Sequence, residues 1–369
     1  MKPFEHRQGG APIVCVHGDF GSVWNLFCAI MSLSGKGCMP NIITHVLFAQ
    51  EVLKNETNTE IAAVIERNAH LYAIGANGPD FLFFSHAKPW EAYKSHALNH
   101  LGSKMHAGKV DAFYSEALRC VRRQTITDVR KDMMAYLFGH LCHWALDMVA
   151  HPYIFYRTGN CKGKSASYHH RMESMIDAIM LKEKRGIDIK DWHSYEICTF
   201  DEDMLKAIAR IYVPCAKQVF DTEIRVHDLR ETLISWRDVQ KLLYDPNGRR
   251  YKALSSLERA LRQKWKISGN IVPAQIDERY DVMNVKKRFW LHPCDQQISS
   301  NASFYDLYEE AIGIALQAIE AAYACIVEGA PAEMLCNVLK DRAYDTGMSE
   351  GHEVRYFDII YEEETNEAL

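Results

Sequence analysis

One stretch of the chain places histidine and aspartate at helical spacing in an almost wholly apolar background. Residues 133–151 read MMAYLFGHLCHWALDMVAH. Apart from the histidines and the aspartate, nearly all of these residues are apolar or small. A helix that is apolar all round belongs inside a core. Its polar residues fall at i, i+3, i+7 and i+11, which at about 100° per residue confines them to an arc of roughly 80°. These four residues are His140, His143, Asp147 and His151.

Four such groups cannot be buried cheaply without partners. The sequence therefore predicts either a hydrogen-bonded polar seam between helices or a metal site, and four aligned residues favour the metal. Neutral imidazoles and carboxylates are ligands that zinc accepts. Pro152 follows directly, and proline disfavours helical geometry in the residue before it. We therefore expect the helix to end or bend at His151, which would then serve a different ion.

A second predicted helix begins near YHHRMESMIDA, where His169, Glu173 and Asp177 stand four residues apart. Side chains at i and i+4 project side by side, so His-xxx-Glu can hold one metal ion with both ligands. The same spacing is common on solvated helix faces. Its weight here comes from its closeness to the first polar stripe.

The elements that must position these residues are helices. Apolar residues after Met39 recur at three- and four-residue intervals, and strand-like alternation is scarce. The predicted fold class is all-α, a multi-helix bundle with ligands on buried helices. Helices are predicted over 43–54, 58–72, 109–123, 128–151, 168–185, 201–221, 228–244, 252–265 and 303–328.

Four segments are predicted along the chain. Residues 1–38 show little periodicity and are interpreted as an N-terminal extension, with Met39 as an alternative start. Residues 39–199 form the metal-binding helical core. Residues 200–345 are a helical continuation of that domain or a second helical half. Residues 346–369 are acidic and are predicted to be a solvated tail.

Composition narrows the class of protein. With 369 residues, 48% of them hydrophobic and 25% charged, the chain is typical of a globular protein. A net charge of -5 offers no basic face, so no stable nucleic-acid partner is expected. The 11 cysteines form no CxxC pairs, which favours reduced thiols and a cytoplasmic protein. An apolar run at 23–33 leaves secretion open.

The motifs are similar to those of the zinc-dependent phospholipase C family, whose secreted bacterial members are helical and hold three zinc ions. The similarity covers about residues 40–180, and no motif after residue 200 matches. The matching segments are ITHVLFA around His45, GANGPDF around Asp80, GHLCHWALDMVAHPY at 139–153 and HHRMES at 169–174. The resemblance implies a fold like that of phospholipase C and P1 nuclease, with two or three zinc ions as cofactors.

The resemblance also implies a ligand set. Asp147 would bridge a pair of ions and His143 would bind one of them, with Asp80 completing one ion and His45 the other. The remaining site would be formed by His151, His169 and Glu173. The implied metal ligands are His45, Asp80, His106, His143, Asp147, His151, His169 and Glu173.

One ligand in this set is chosen among several histidines that follow Asp80. The candidates are His86, His96, His100 and His106. His106 is favoured because it directly precedes an apparent helix, as the family's ligand does, and His86 is the next choice. Three residues are kept as alternative ligands or as neighbours of ligands, namely His86, His140 and Asp177.

The implied activity is hydrolysis of a phosphodiester, such as a phospholipid, by a metal-activated water. Asp80 would orient that water or accept its proton. A phospholipid substrate implies peripheral membrane contact. The secreted enzymes also use an N-terminal tryptophan as a ligand, and no tryptophan stands shortly before His45.

Two other functions stay open. A single-strand nuclease would need aromatic platforms near the metals, and the candidates are Trp90, Trp144 and Tyr153. A non-catalytic metal-binding helical protein would instead hold its ions in a closed site. The two kinds of site differ because a catalytic one keeps a coordination position open.

Overall fold

The computed structural model describes residues 42–87, 91 and 95–362, and the described chain is mostly helical. The prediction of an all-α fold is confirmed. The predictions for residues 1–38, for a start at Met39 and for Trp90 fall outside the described residues.

The helices and strands of the described residues follow one another in a simple order. The α-helices are α1 (Ile42–Asn55), α2 (Thr59–Arg67), α3 (Ala69–Gly75), α4 (Ala97–Ala107), α5 (Val110–Arg123), α6 (Thr127–Thr158), α7 (Lys164–Arg185), α8 (Ser194–Ile197), α9 (Glu202–Phe220), α10 (Val226–Leu243), α11 (Arg249–Ala260), α12 (Phe304–Tyr323) and α13 (Glu333–Leu339). Short 3₁₀ helices span Asp80–Phe84, Ile189–Asp191 and Ser268–Asn270. An antiparallel hairpin joins β1 (Trp290–His292) to β2 (Asp295–Ser300).

Helix α6 is the central element of the fold. It is 32 residues long and buried along most of its length, as its nearly continuous apolar sequence predicts. Helix α3 packs against α6 so closely at Gly139 that no side chain fits between the two backbones. A Cβ added there would lie 2.1 Å from the carbonyl oxygen of Tyr72. This backbone contact holds the turn after α3, and with it Asp80, against the polar stripe of α6.

The predicted helix end at His151 is wrong, because α6 continues to Thr158 with Pro152 inside it. Proline has no N–H, so the carbonyl of Met148 loses its helical partner. Gly347 packs against that carbonyl, and a Cβ there would lie 2.5 Å from the oxygen. The interrupted ladder is therefore covered by a later segment of the chain.

The predicted solvated tail is exposed over residues 349–353, but it packs down further along the chain. Residues 358–361, near the end of the described part, lie against the C-terminal half of α6. Asp358 and Ile360 donate backbone hydrogen bonds to the carbonyls of Tyr156 and Arg157, at 2.8 and 3.1 Å. Ile360 and its neighbour Tyr361 are buried. The prediction considered only the charge of this segment and overlooked the apolar residues that anchor it.

Other boundaries differ from the prediction. The single helix expected over 58–72 is two helices that meet at Asn68, whose side chain accepts a hydrogen bond from the Leu71 N–H and caps α3. The helix expected over 303–328 is α12 followed by a π-turn at Ala324–Glu328. Helices α4, α8 and α13 and the hairpin were not expected.

By length and composition alone, one helix of the described chain could span a membrane. It covers Phe304–Glu328, and 61% of its most apolar window is buried inside the protein. It packs along α6 in a hydrophobic core that includes residues from both halves of the chain. This burial is what a core helix requires.

The cysteines are not all reduced. Seven of the described cysteines are free thiols, four of them buried, whereas Cys161 is disulfide-bonded. The expectation of reduced thiols therefore does not extend to Cys161.

Candidate metal centre

Four buried side chains from three parts of the chain converge on one point, which we call site A: Asp80, His106, His143 and Asp147. The ligand atoms that they offer all lie within 4.8 Å of one another. The Nε2 atom of His106 is 2.9 Å from Asp80 Oδ1, and the Nε2 atom of His143 is 3.0 Å from Asp147 Oδ2. Site A thus offers two imidazoles and two carboxylates.

The backbone around site A fixes these side chains. Gly78, in the turn before Asp80, has φ +47° and lies so close to His143 that a Cβ would meet the ring at 2.1 Å. His106 stands in the last turn of α4 with Nδ1 2.8 Å from the carbonyl of Gly102. Because Nδ1 faces that acceptor, Nε2 is left to point at Asp80.

A second buried group, which we call site B, consists of His151, His169 and Glu173. Glu173 Oε1 lies 3.1 Å from His169 Nε2 and 3.6 Å from His151 Nε2. The other ring nitrogens face groups of the protein: His151 Nδ1 is 3.2 Å from the Tyr344 carbonyl, and His169 Nδ1 is 3.3 Å from the Thr158 hydroxyl. Both Nε2 atoms therefore face the centre of the site.

Asp147 belongs to site A and also faces site B. Besides His143, its carboxylate faces His45 Nε2 at 3.3 Å and His151 Nδ1 at 3.7 Å. Burial by itself raises the pKa of Asp147, but the imidazoles around it, above all His143, outweigh that effect and hold the pKa well below its usual range. The carboxylate is ionised and is shared among three imidazoles.

The charged neighbours of two histidines favour the protonated imidazole when no metal is bound. Burial lowers the pKa of His106, but the neighbouring Asp80 carboxylate outweighs it and raises the pKa to about 9. Burial also opposes protonation of His151, yet Asp147 and then Glu173 raise its pKa to about 10. Zinc binds neutral imidazole, so metal binding must release these protons.

Several buried atoms of the centre have no hydrogen-bond partner among the described residues. Orphaned buried polar atoms are rare and call for a bound group or a water. Imidazole nitrogens and carboxylate oxygens at four- and three-residue sites match the ligand chemistry of zinc, so the residues present fit this ion. The orphaned atoms are His45 Nδ1, Asp80 Oδ2, His143 Nδ1 and Glu173 Oε2.

A pocket lies beside the two sites. His151 and Glu173 of site B form part of its wall together with Asp147, and neighbouring residues of α6 and α7 and the first residues of α1 and α12 form the rest. The other members of site A, Asp80, His106 and His143, do not line it. The pocket wall includes His45, Asp147, His151, Glu173, Asp177 and Phe304.

Asp177 lines the pocket but serves helix α1. Its carboxylate accepts hydrogen bonds from the backbone N–H groups of Ile43 and Thr44, at 3.1 and 2.8 Å, and from the Thr44 hydroxyl. Burial raises the pKa of Asp177 to about 7. It caps the start of α1 and so positions His45 at the pocket, while lying outside both ligand groups.

His140 lies on the α6 stripe and belongs to neither site. Its ring nitrogens are 2.8 Å from the Tyr114 hydroxyl and 3.1 Å from the Tyr212 hydroxyl. Burial holds the pKa of His140 well below its ordinary value, so the ring is neutral. Of the four polar residues on the stripe, His140 is therefore the one that forms a hydrogen-bonded contact between helices, which the sequence pattern predicted as the alternative to a metal site.

The structure also separates the histidines proposed after Asp80. His106 contacts Asp80, whereas His100 is exposed and His96 is half-buried. His86 is half-buried and is in neither ligand group. His45 faces Asp147 but shares no group of three with other described residues.

Sequence reasoning missed Tyr344. Its backbone carbonyl faces His151, and its ring packs 5.2 Å from the ring of His106 and 5.6 Å from that of His143. No linear signal links this residue to ligands some two hundred positions earlier. By contrast, the Gly102 carbonyl stands at i−4 from His106 on one helix, a spacing that could have been anticipated.

The fold and the two sites define a helical protein with a buried cluster of zinc-type ligands. The family model described as zinc dependent phospholipase C matches residues 44–221, a range that contains all eight predicted ligands. The resemblance to this family seen in the sequence is confirmed over these residues. No curated protein and no solved structure matches the chain.

Proposed function

We propose that this protein is a zinc-dependent hydrolase of phosphate esters that cleaves a phosphodiester in the manner of a phospholipase C. The observation that carries the proposal is the position of Asp147, which joins two buried ligand groups and also lines an adjoining pocket. The match of residues 44–221 to the zinc-dependent phospholipase C family supports a hydrolase. The pocket favours catalysis over a closed storage site, because it leaves room for water beside Asp147 and site B, as an open coordination position requires.

In this proposal site A holds one ion and site B holds another. When bound, zinc supplies positive charge that stabilises the oxygens of a phosphate ester and lowers the pKa of water toward ~7. Asp147 keeps the two ions' surroundings anionic, and Tyr344 and Gly102 orient the imidazoles of His151 and His106.

The proton acceptor has two candidates. Asp80 is the residue that the resemblance implies, and its Oδ2 atom has no hydrogen-bond partner among the described residues. Glu173 likewise has an oxygen without such a partner, and it lines the pocket whereas Asp80 does not. We therefore add Glu173 as the acceptor that a substrate in the pocket would meet first.

Two of the three aromatic candidates for the nuclease alternative cannot serve it, and the third, Trp90, lies outside the described residues. Trp144 and Tyr153 are fully buried, at 0% and 1% exposure, so neither can stack on a base. Of the aromatic side chains in the described residues, Phe304 is the one in the pocket wall. This favours a phospholipid or a small phosphodiester as substrate.

The proposal is tested with the full chain purified in the presence of zinc. Hydrolysis of phosphatidylcholine, of bis(4-nitrophenyl) phosphate and of single-stranded DNA is measured before and after chelation. We expect turnover of the first two, lost with the metal and restored by zinc, and little turnover of DNA. A protein that holds two zinc ions and hydrolyses none of the three would refute the proposal.

The acceptor is assigned by comparing Asp80→Asn with Glu173→Gln. Because both residues also belong to ligand groups, each variant is assayed at zinc concentrations that refill its sites, with bound metal measured on the same sample. The variant that holds two ions but loses turnover identifies the acceptor. Asp132→Asn is the control, since Asp132 lies on α6 near Arg67 and outside both sites. Full turnover by both zinc-loaded variants would exclude both residues as acceptors.

A further inference from the structure

A short loop between the core and the hairpin exposes apolar and basic side chains together. Residues 285–289 read VKKRF, and all five are exposed between buried Asn284 and buried Trp290. Val285 and Phe289 are each 64% exposed, the largest fractions among the exposed large hydrophobic residues described. Three cations stand between these two side chains. We call residues 285–289 the apolar–basic loop.

The loop is held in place by buried and half-buried polar groups. The Asp281 carboxylate accepts hydrogen bonds from the N–H groups of Val285 and Lys286, at 2.7 and 3.0 Å. The Asn284 side chain accepts from the N–H of Arg288 at 3.0 Å and donates to its carbonyl at 2.9 Å. The backbone is therefore ordered before any partner binds, so docking costs little further ordering.

The base of the loop is tied to the wall of the pocket. The Met283 carbonyl accepts a hydrogen bond of 2.9 Å from the N–H of Phe304, which lines the pocket. The Tyr153 hydroxyl, two residues after His151, donates to the carbonyl of Val282 at 3.0 Å. The apolar–basic loop thus emerges beside the candidate metal centre.

We propose that the apolar–basic loop docks the protein onto an anionic lipid surface. Phe289 and Val285 would enter the boundary between headgroups and acyl chains, and the cations between them would face the headgroups. Charge complementarity favours this partner, because the loop concentrates three positive charges in a chain of net charge -5. Ile298 on β2, 46% exposed, adds a third apolar side chain to the hairpin that follows the loop.

Lys287 reduces the charge available to lipid, since it pairs with Asp306 at the start of α12. The inference that docking delivers substrate to the pocket rests on the proposed function. Binding to the lipid surface does not.

The test is co-sedimentation of the full-length protein with vesicles of phosphatidylserine and phosphatidylcholine, or of phosphatidylcholine alone. We expect binding to the anionic vesicles that weakens as salt is added. Phe289→Ser should weaken it by about ten-fold or more, and Lys286→Gln by about five-fold. Leu261→Ser and Lys252→Gln, matched changes at exposed positions on or beside α11, should bind like the wild type.

Two results would overturn the inference: no binding of the wild type to anionic vesicles at low salt, or equal binding by wild type, Phe289→Ser and Lys286→Gln. Self-association that Phe289→Ser abolishes, without any vesicle binding, would assign the loop to a second copy of the chain and would also overturn it.

Turnover of a soluble phosphodiester by the same wild-type preparation reports on the proposed function separately. If the loop variants weaken vesicle binding but the wild type shows no turnover, only the proposed function is refuted. If the wild type shows turnover but the loop variants bind vesicles as it does, only the docking is refuted.

Discussion

Replacing Asp147 by asparagine perturbs the centre at the residue on which it most depends. The side chain keeps its size but loses the charge that faces His143 at 3.0 Å, His45 at 3.3 Å and His151 at 3.7 Å. Site A would lose one of its two carboxylates. Site B keeps His151, His169 and Glu173. We therefore expect the variant to lose the ion of site A and to retain that of site B.

The expected size of the effect follows from linkage. Even the partners that orient metal ligands are worth about 10- to 100-fold in affinity, so loss of a direct anionic ligand should cost at least about 100-fold. That is about 2.7 kcal/mol of zinc-dependent stability at saturating zinc. Unfolding entropy of about 2.1 cal/mol/K per residue gives this chain of 369 residues about 0.8 kcal/mol per kelvin. The rise in Tm on adding zinc should therefore shrink by about 3–4 °C.

The assay is scanning calorimetry of wild type, Asp147→Asn and Asp132→Asn, each with chelator and with zinc, together with zinc analysis by mass spectrometry. The rise in Tm is compared within each variant, so changes in zinc-free stability cancel. Wild type and Asp132→Asn should hold two ions, and Asp147→Asn should hold one. A variant Asp147→Asn with two ions and an undiminished rise in Tm would refute the reasoning.

Three further predictions concern a ligand of site A, the turn before Asp80 and the start of α12. His106→Ala should release the ion of site A alone, so zinc per chain falls by about one; loss of both ions, or of neither, would contradict the separation of the sites. Gly78→Ala should cost about 1–2 kcal/mol at its φ of +47° and displace the His143 ring, so urea unfolding and zinc titration should both weaken, and unchanged zinc affinity would count against the contact. Lys287 and the cap of α12 lower the pKa of Asp306 to about 2, so the stabilisation from this ionised carboxylate is present above about pH 4 and lost as the pH falls through about 2. An NMR titration should show this value, and Lys287→Met should raise it toward 3.8, whereas an unmoved pKa would remove Lys287 as its cause.

The parts of the centre that depend on local periodicity were predictable from sequence. His143 and Asp147 share a helix face with four-residue spacing, and so do His169 and Glu173, because the α-helix sets those directions whatever surrounds it. The apolar background of α6 predicted its burial. The all-α class followed from the same periodicity.

The parts that depend on distant contacts were not predictable. Pro152 stays inside α6 because Gly347 covers the carbonyl that the proline leaves unpaired. The acidic segment after residue 346 packs down through Ile360 and Tyr361, although its charge suggested a solvated tail. His140 fits the polar stripe as well as the ligands do, and two tyrosines from other helices decide its role.

The central claim is tested most directly by measuring turnover of a soluble phosphodiester as a function of zinc bound per chain. Metal-free protein is titrated with zinc, and bound metal and hydrolysis are determined on the same samples. The account predicts no turnover without metal and a rise that is complete when two ions are bound. Full turnover by metal-free protein, or none with two ions bound, would contradict it.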